Sequence, residues 1–150
     1  MTSVFTMPRV ARTPRDEANA LLDACVKFAQ EMLSRRGVFY PFGATVLSTG
    51  DVAMAAPDPS LGDTPGSITV IESLRAAFVR QASAGEIRGA AICSDVTIEA
   101  ENGMGDAILV TIEHQADEPV DVLLPYRLDS DSVPSYGELT ASRAARLIFA

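Results

Sequence analysis

The period of the apolar residues changes once in this chain, at Ile87, and that change limits the fold more than any other feature. Upstream, Ala18, Leu21, Leu22, Cys25, Phe28, Ala29, Met32 and Leu33 recur at three- and four-residue steps, the spacing that lines one face of a helix. Thr13 and Pro14 supply a hydroxyl cap and a proline at the first helical position. Asp16 and Glu17 sit at the positive end of the dipole, and Arg35, Arg36 and Gly37 close the segment. Ile71, Leu74, Ala77 and Phe78 repeat the helical spacing, with Thr69 and Glu72 as a capping box or Ser67 as the cap, and Gly85 as the stop.

Downstream of Ile87 the period is two. Ala90, Ile92, Val96 and Ile98 share one face while Asp95, Thr97 and Glu99 take the other. Ile108, Val110 and Ile112 alternate with Thr111 and Glu113, and Val120, Val122, Leu124 and Tyr126 make a third strand. The links, Glu101 to Gly105 and Ala116 to Pro119, are short enough for adjacent antiparallel strands. The NGMG stretch in the first link reads as a hairpin turn, because no helix follows to make its glycines a phosphate cradle. Pro125 lacks a ladder donor and predicts that the third strand is an edge or stops there. Between the helices, Ala44 to Ser48 and Val52 to Ala56 flank Thr49, Gly50 and Asp51 as a hairpin, and APDPSLGDTPG (56 to 66) reads as a surface loop. Tyr136 to Thr140 is a candidate strand, and Ala141 to Phe149 a short helix or an extended tail. Two apolar stripes need a surface to cover. The expectation is an α+β two-layer sandwich, with an antiparallel meander sheet of about five or six strands and both helices on one face.

Length and composition narrow the functional classes. A chain of 150 residues fits one domain, 1 to 150, with about the first dozen residues loosely ordered; a domain of this size buries roughly 68–70% of its unfolded surface. No apolar run approaches the ~20 residues of a membrane span, and MTSVFTMPRVARTPRDE lacks the apolar core of a signal peptide, so the cytoplasm is the expected location. The net charge of −8 argues against nucleic acid and anionic membrane as partners. Cys25 and Cys93 have no partner at metal spacing and read as buried thiols. Nothing calls for a metal or a cofactor: there is no GxSxG elbow, P-loop or dinucleotide fingerprint.

Six residues are candidates for a site. Phe39, Tyr40 and Phe42 surround Pro41 at the corner between helix and sheet. They read first as a plug for the core, but alternation cannot bury all three, and Tyr40 is the one expected at the surface. His114, the single histidine, falls on the face of Ile108, Val110 and Ile112, near Val122 and Ile92. It is a candidate base at the sheet rim or a buried imidazole satisfied by backbone or carboxylate. Tyr126 lies on the inner face, and Arg127 on the outer face within reach of a cross-strand pair with Glu113. Asp95, Thr97, Glu99, Thr111, Glu113 and Asp121, interleaved with Leu109, Leu123 and Cys93, are expected to form an acidic, partly apolar outer face.

The element order resembles the profilin, roadblock and longin group of folds. FYPFGA (39 to 44), DAILVTIEH (106 to 114), LPYR (124 to 127) and YGEL (136 to 139) are together similar to a recurring set in small uncharacterised bacterial proteins. That likeness spans about residues 15 to 149 and implies that the tail belongs to the domain and that the motifs converge on one side. In size and charge the chain also resembles immunity and antitoxin proteins. With no catalytic constellation, the expected role is a non-enzymatic protein-interaction domain that self-associates through its sheet. The alternatives are a small-molecule binder or enzyme using His114 with Tyr40, Tyr126 or Tyr136 at the sheet rim, and a roadblock-like regulator of a small GTPase.

Overall fold

The computed structural model describes residues 13–57, 59–61, 66–100 and 103–149. The expectations for residues 1–12, for positions 58 and 62–65 of the loop and for the turn at 101–102 lie outside the described residues. Helix α1 runs from Pro14 to Arg36. The Thr13 hydroxyl accepts from the Asp16 N–H and the Asp16 carboxylate accepts from the Thr13 N–H, both at 3.0 Å, so the first turn's orphan donors are satisfied reciprocally. Gly37, at φ 71°, ends the helix in a left-handed conformation that costs other residues energy. Helix α2 covers Ser67–Ser83 and starts earlier than the Thr69 box. Gly66 is its N-cap, and no side chain caps it. Burial of Val70 in the first turn anchors the helix there instead.

Strands β1 (Phe42–Leu47) and β2 (Val52–Ala55) form the expected hairpin, and Gly50 takes a positive φ in its turn. They are followed by β3 (Ile87–Ala100), β4 (Gly103–His114), β5 (Val120–Leu128), β6 (Pro134–Tyr136) and β7 (Thr140–Arg143). The order across the sheet is β2-β1-β3-β4-β5-β6, with β7 also on β5 and every pairing antiparallel. This is the α+β class built on a meander. The sheet has seven strands because the chain end adds two short ones to the outer edge of β5.

Pro125 therefore neither ends β5 nor marks a bare edge. Its carbonyl accepts from the Gly137 N–H at 2.8 Å. Since N–H and C=O of one residue point to the same side of a strand, the missing donor falls in the interval between β6 and β7, where the ladder is interrupted anyway.

The two helices divide the sheet rather than sharing a face. Leu21, Cys25, Ala29 and Leu33 of α1 pack with Ala44 and Val46 of β1, Ala91 and Cys93 of β3, Ile108, Val110 and Ile112 of β4, and Val122, Leu124 and Tyr126 of β5. Val70, Leu74 and Phe78 of α2 pack with Ile87, Ala90 and Ile92 on the opposite face, joined by Ile148 of the tail. Strand β3 is buried on both sides near its start, so its apolar run carries no alternation that would assign a side. Over β4 and β5 the fold is two layers, and α2 adds a third mainly over β3 and β1, with Ala55 of β2 at its margin. Close approach is built in at Gly43, where an added Cβ would lie 2.6 Å from Phe78 Cζ and 2.9 Å from the Ala91 carbonyl oxygen.

Candidate functional site

Glu17 occupies the i−4 position of the stripe Leu21, Cys25, Ala29, Leu33, and like them it is buried, at 3% exposure. A carboxylate there must be paired. Two cations or donors reach it from the sheet. Arg88 Nε donates to Oε1 and Oε2 at 3.0 and 3.1 Å, with Nη2 on Oε2 as well. His114 Nε2 lies 2.7 Å from Oε1. The His114 Nδ1 accepts the Ala116 N–H at 3.1 Å, which leaves the ring proton on Nε2, where it donates to Glu17. Burial pushes the Glu17 carboxyl up, but the hydrogen bonds from Arg88 and His114 outweigh it and hold it below the usual glutamate value.

Arg88 reaches α1 because of a bulge. The β1–β3 register shifts between Val46 and Leu47, with Val46 opposite Gly89 and Leu47 opposite Ile87. Arg88 is the extra residue, and a bulge re-aims such a side chain. Its Nη1 also donates to the Ser48 carbonyl at 3.2 Å.

A second polar system lies beside this one. The Glu113 carboxylate accepts the backbone N–H groups of Leu147 (2.7 Å), Ile148 (2.8 Å) and Phe149. Arg146 donates to the carbonyls of His114 (3.0 Å) and Asp117. Residues 144–149 are thereby an extended tail strapped over the α2 side of the sheet, not a helix. Arg15 pairs with Asp117 at 2.8 Å across the same end.

At the far end, Tyr126 is 8% exposed and its hydroxyl donates to Asp95 Oδ1 and Oδ2 at 2.8 and 2.9 Å. Burial, then the neighbouring Asp106, hold the Asp95 carboxyl above its ordinary value despite the Tyr126 hydrogen bond. Tyr136 is half-buried opposite Tyr126. Phe39 and Phe42 are buried, with Phe42 packed edge-on against both Phe28 (4.7 Å between centroids) and Phe39 (6.1 Å). Tyr40, at 69% exposure, is the aromatic that reaches the surface.

Several side assignments differ from the sequence reading. His114 stands opposite Gly89, not beside Val122, and Ile92 is on the other face. Asp95 and Thr97 share the α1 face with Ile108, whereas Thr111, Glu113 and Asp121 are on the other, so no single acidic face exists. Cys93 is in the α1 core beside Cys25. Arg127 is exposed near the end of β5 remote from Glu113, whose carboxylate is taken by the tail. The cross-strand pair is absent among the described residues. His114 and Tyr126 share a face, yet Tyr126 stands opposite Asp106, eight positions along β4 from His114 and ~26 Å away at strand rise. The structure therefore brings His114 to Glu17 and Arg88, and not to Tyr126 or Tyr136. Sequence reasoning placed Glu17 only at the helix dipole; its place on the buried stripe was the missed signal. Arg88 carried none, because a bulge leaves no mark in the apolar pattern.

No helix among the described residues is long and apolar enough to cross a membrane, and no group of three or more His, Cys, Asp or Glu there is arranged to hold a metal ion. No protein-family model, curated protein or solved structure matches the chain.

Proposed function

We propose that the chain is a non-enzymatic cytoplasmic protein-interaction domain that self-associates through the sheet face opposite α1. The observation that carries this reading is the state of that face over β4 and β5. Leu109, Leu123 and Pro125, with Val96 and Ile98 of β3, are only half-buried there, and α2 packs on β1 and β3 instead. A contiguous apolar surface rimmed by polar side chains is the usual mark of a docking site.

The polar groups available for chemistry support the same view. The His114 nitrogens are both engaged, one by Glu17 and one by the Ala116 N–H, so the ring has no free atom with which to abstract a substrate proton. The test is sedimentation across a dilution series. The wild-type chain is expected to show a reversible dimer, and Leu109→Asp to be monomeric with an unchanged circular dichroism spectrum. A wild-type chain that stays monomeric at its highest attainable concentration overturns the reading.

A further inference from the structure

The charges that bracket this half-buried face, on which Ala107 and Ser94 are themselves buried, define how two copies meet. On this side of β5 the residues in succession are Asp121, Leu123, Pro125 and Arg127, since alternate positions share a face. Leu123 lies opposite Leu109, Pro125 opposite Ala107, and Asp121 opposite Thr111; Val96 stands beyond Ala107 and Ser94 beyond Leu109 on β3. The apolar centre thus sits at the level of Leu124, with an acid three residues before it and a base three residues after it. The two charges are unlike in state. Asp121 accepts from the Thr111 hydroxyl at 2.7 Å, which fixes its carboxylate at the surface of the sheet. Arg127 is exposed, and its guanidinium makes no hydrogen bond or ion pair with a described residue, its backbone being paired with Ser135 of β6.

Resting on the self-association reading above, we infer that the partner on this face is a second copy of the chain, stacked about a two-fold axis that lies between the two sheets, parallel to them, and runs across the strands at the level of Ile108 and Leu124. Arg127 of each copy then pairs with Asp121 of the other. A two-fold operation at that level exchanges the two ends of β5, so the acid of one copy falls over the base of its mate, and Leu109, Leu123 and Pro125 meet in the centre. This is the self-complementarity that an isologous interface requires. A parallel stacking of the same faces would oppose Arg127 to Arg127 and Asp121 to Asp121, so the charges select the orientation as well as the partner. Aligned sheets pack ~10 Å apart, a gap that an extended arginine and an aspartate span from opposite sides.

The experiment is a charge exchange in the full chain, read by sedimentation at fixed ionic strength, with folding checked by thermal unfolding. Arg127→Asp and Asp121→Arg are each expected to weaken the dimer about tenfold or more, and the double variant to return to within about threefold of wild type, because the exchange recreates both pairs. Asp121→Asn, which keeps an acceptor for Thr111, serves if Asp121→Arg lowers the melting temperature. Added salt is expected to weaken the wild-type dimer and to strengthen the Arg127→Asp dimer, whose facing acids repel. A dimer whose affinity is indifferent to the single changes, or a double variant no tighter than the worse single, overturns the pairing while leaving self-association standing. A monomeric wild type removes both.

Discussion

His114 Nε2 and Glu17 Oε1 are 2.7 Å apart, a contact between the last residue of β4 and the first turn of α1 that is sealed from solvent on both sides. With Arg88 on the same carboxylate, it is the polar weld between helix and sheet. Removing one partner of a buried pair leaves the other uncompensated, which typically costs 3–5 kcal/mol. Arg88 is 34% exposed and can rehydrate, so Glu17→Ala is expected to destabilise the fold by about 2–4 kcal/mol. Urea unfolding that shows a lowered midpoint at constant slope supports this; a loss under about 0.5 kcal/mol contradicts it.

Acid should act through the same residue. The Glu17 carboxyl is held below the ordinary glutamate value of 4.5. The folded state therefore binds its proton less readily than the unfolded chain, and the resulting stability is complete above 4.5 and lost as pH falls through the lower folded value. Asp95 has the opposite sign, its folded value being raised above 3.8. It opposes folding once pH passes the folded value, and that penalty fades on acidification. Asp95→Asn keeps an oxygen to accept from Tyr126. At neutral pH it is expected to be no less stable than wild type, and Glu17→Gln to have a flatter stability profile than wild type below pH 4.5. A Glu17→Gln profile parallel to wild type throughout that range is the contrary result.

The Gly43 site tests the division of the helices between two faces. A methyl group there meets the Phe78 ring and the Ala91 carbonyl at under 3 Å, so Gly43→Ala is expected to cost about 1–3 kcal/mol by overpacking. Phe78→Leu in the same background should recover part of that loss, because it frees the ring side while the carbonyl contact remains. An additive double variant, with the leucine cost simply summed, excludes contact between α2 and this position.

The tail strap has a direct readout. Glu113→Gln replaces one acceptor oxygen by a donor facing three backbone N–H groups, so the amides of Leu147, Ile148 and Phe149 are expected to exchange with deuterium much faster while those of β3 and β4 stay protected. Equal protection in variant and wild type speaks against the carboxylate clamp. Global destabilisation of about 1–3 kcal/mol is expected alongside, as Ile148 loses its place beside α2.

The caps and periods of the sequence determined the elements: the Thr13–Asp16 box, the Gly37 stop, the Gly50 hairpin and the three long alternating strands follow from local stereochemistry, in which side-chain oxygens, φ angles and a repeat of 3.6 or 2 act within a few residues. The surface position of Tyr40 follows in the same way, from alternation around Pro41. Tertiary structure alone decided which face of the sheet each helix covers. Ala90, Ala91, Ile92 and Cys93 are apolar in succession, and small side chains there admit a helix on either side. It also decided that Arg88 leaves the pleat through a bulge, that Glu17 has a buried role beyond its helix, and that Glu113 holds the chain end. Each depends on groups 30 to 100 residues apart meeting where water is excluded, and a buried charge declares its partner only once the surfaces that desolvate it are in place.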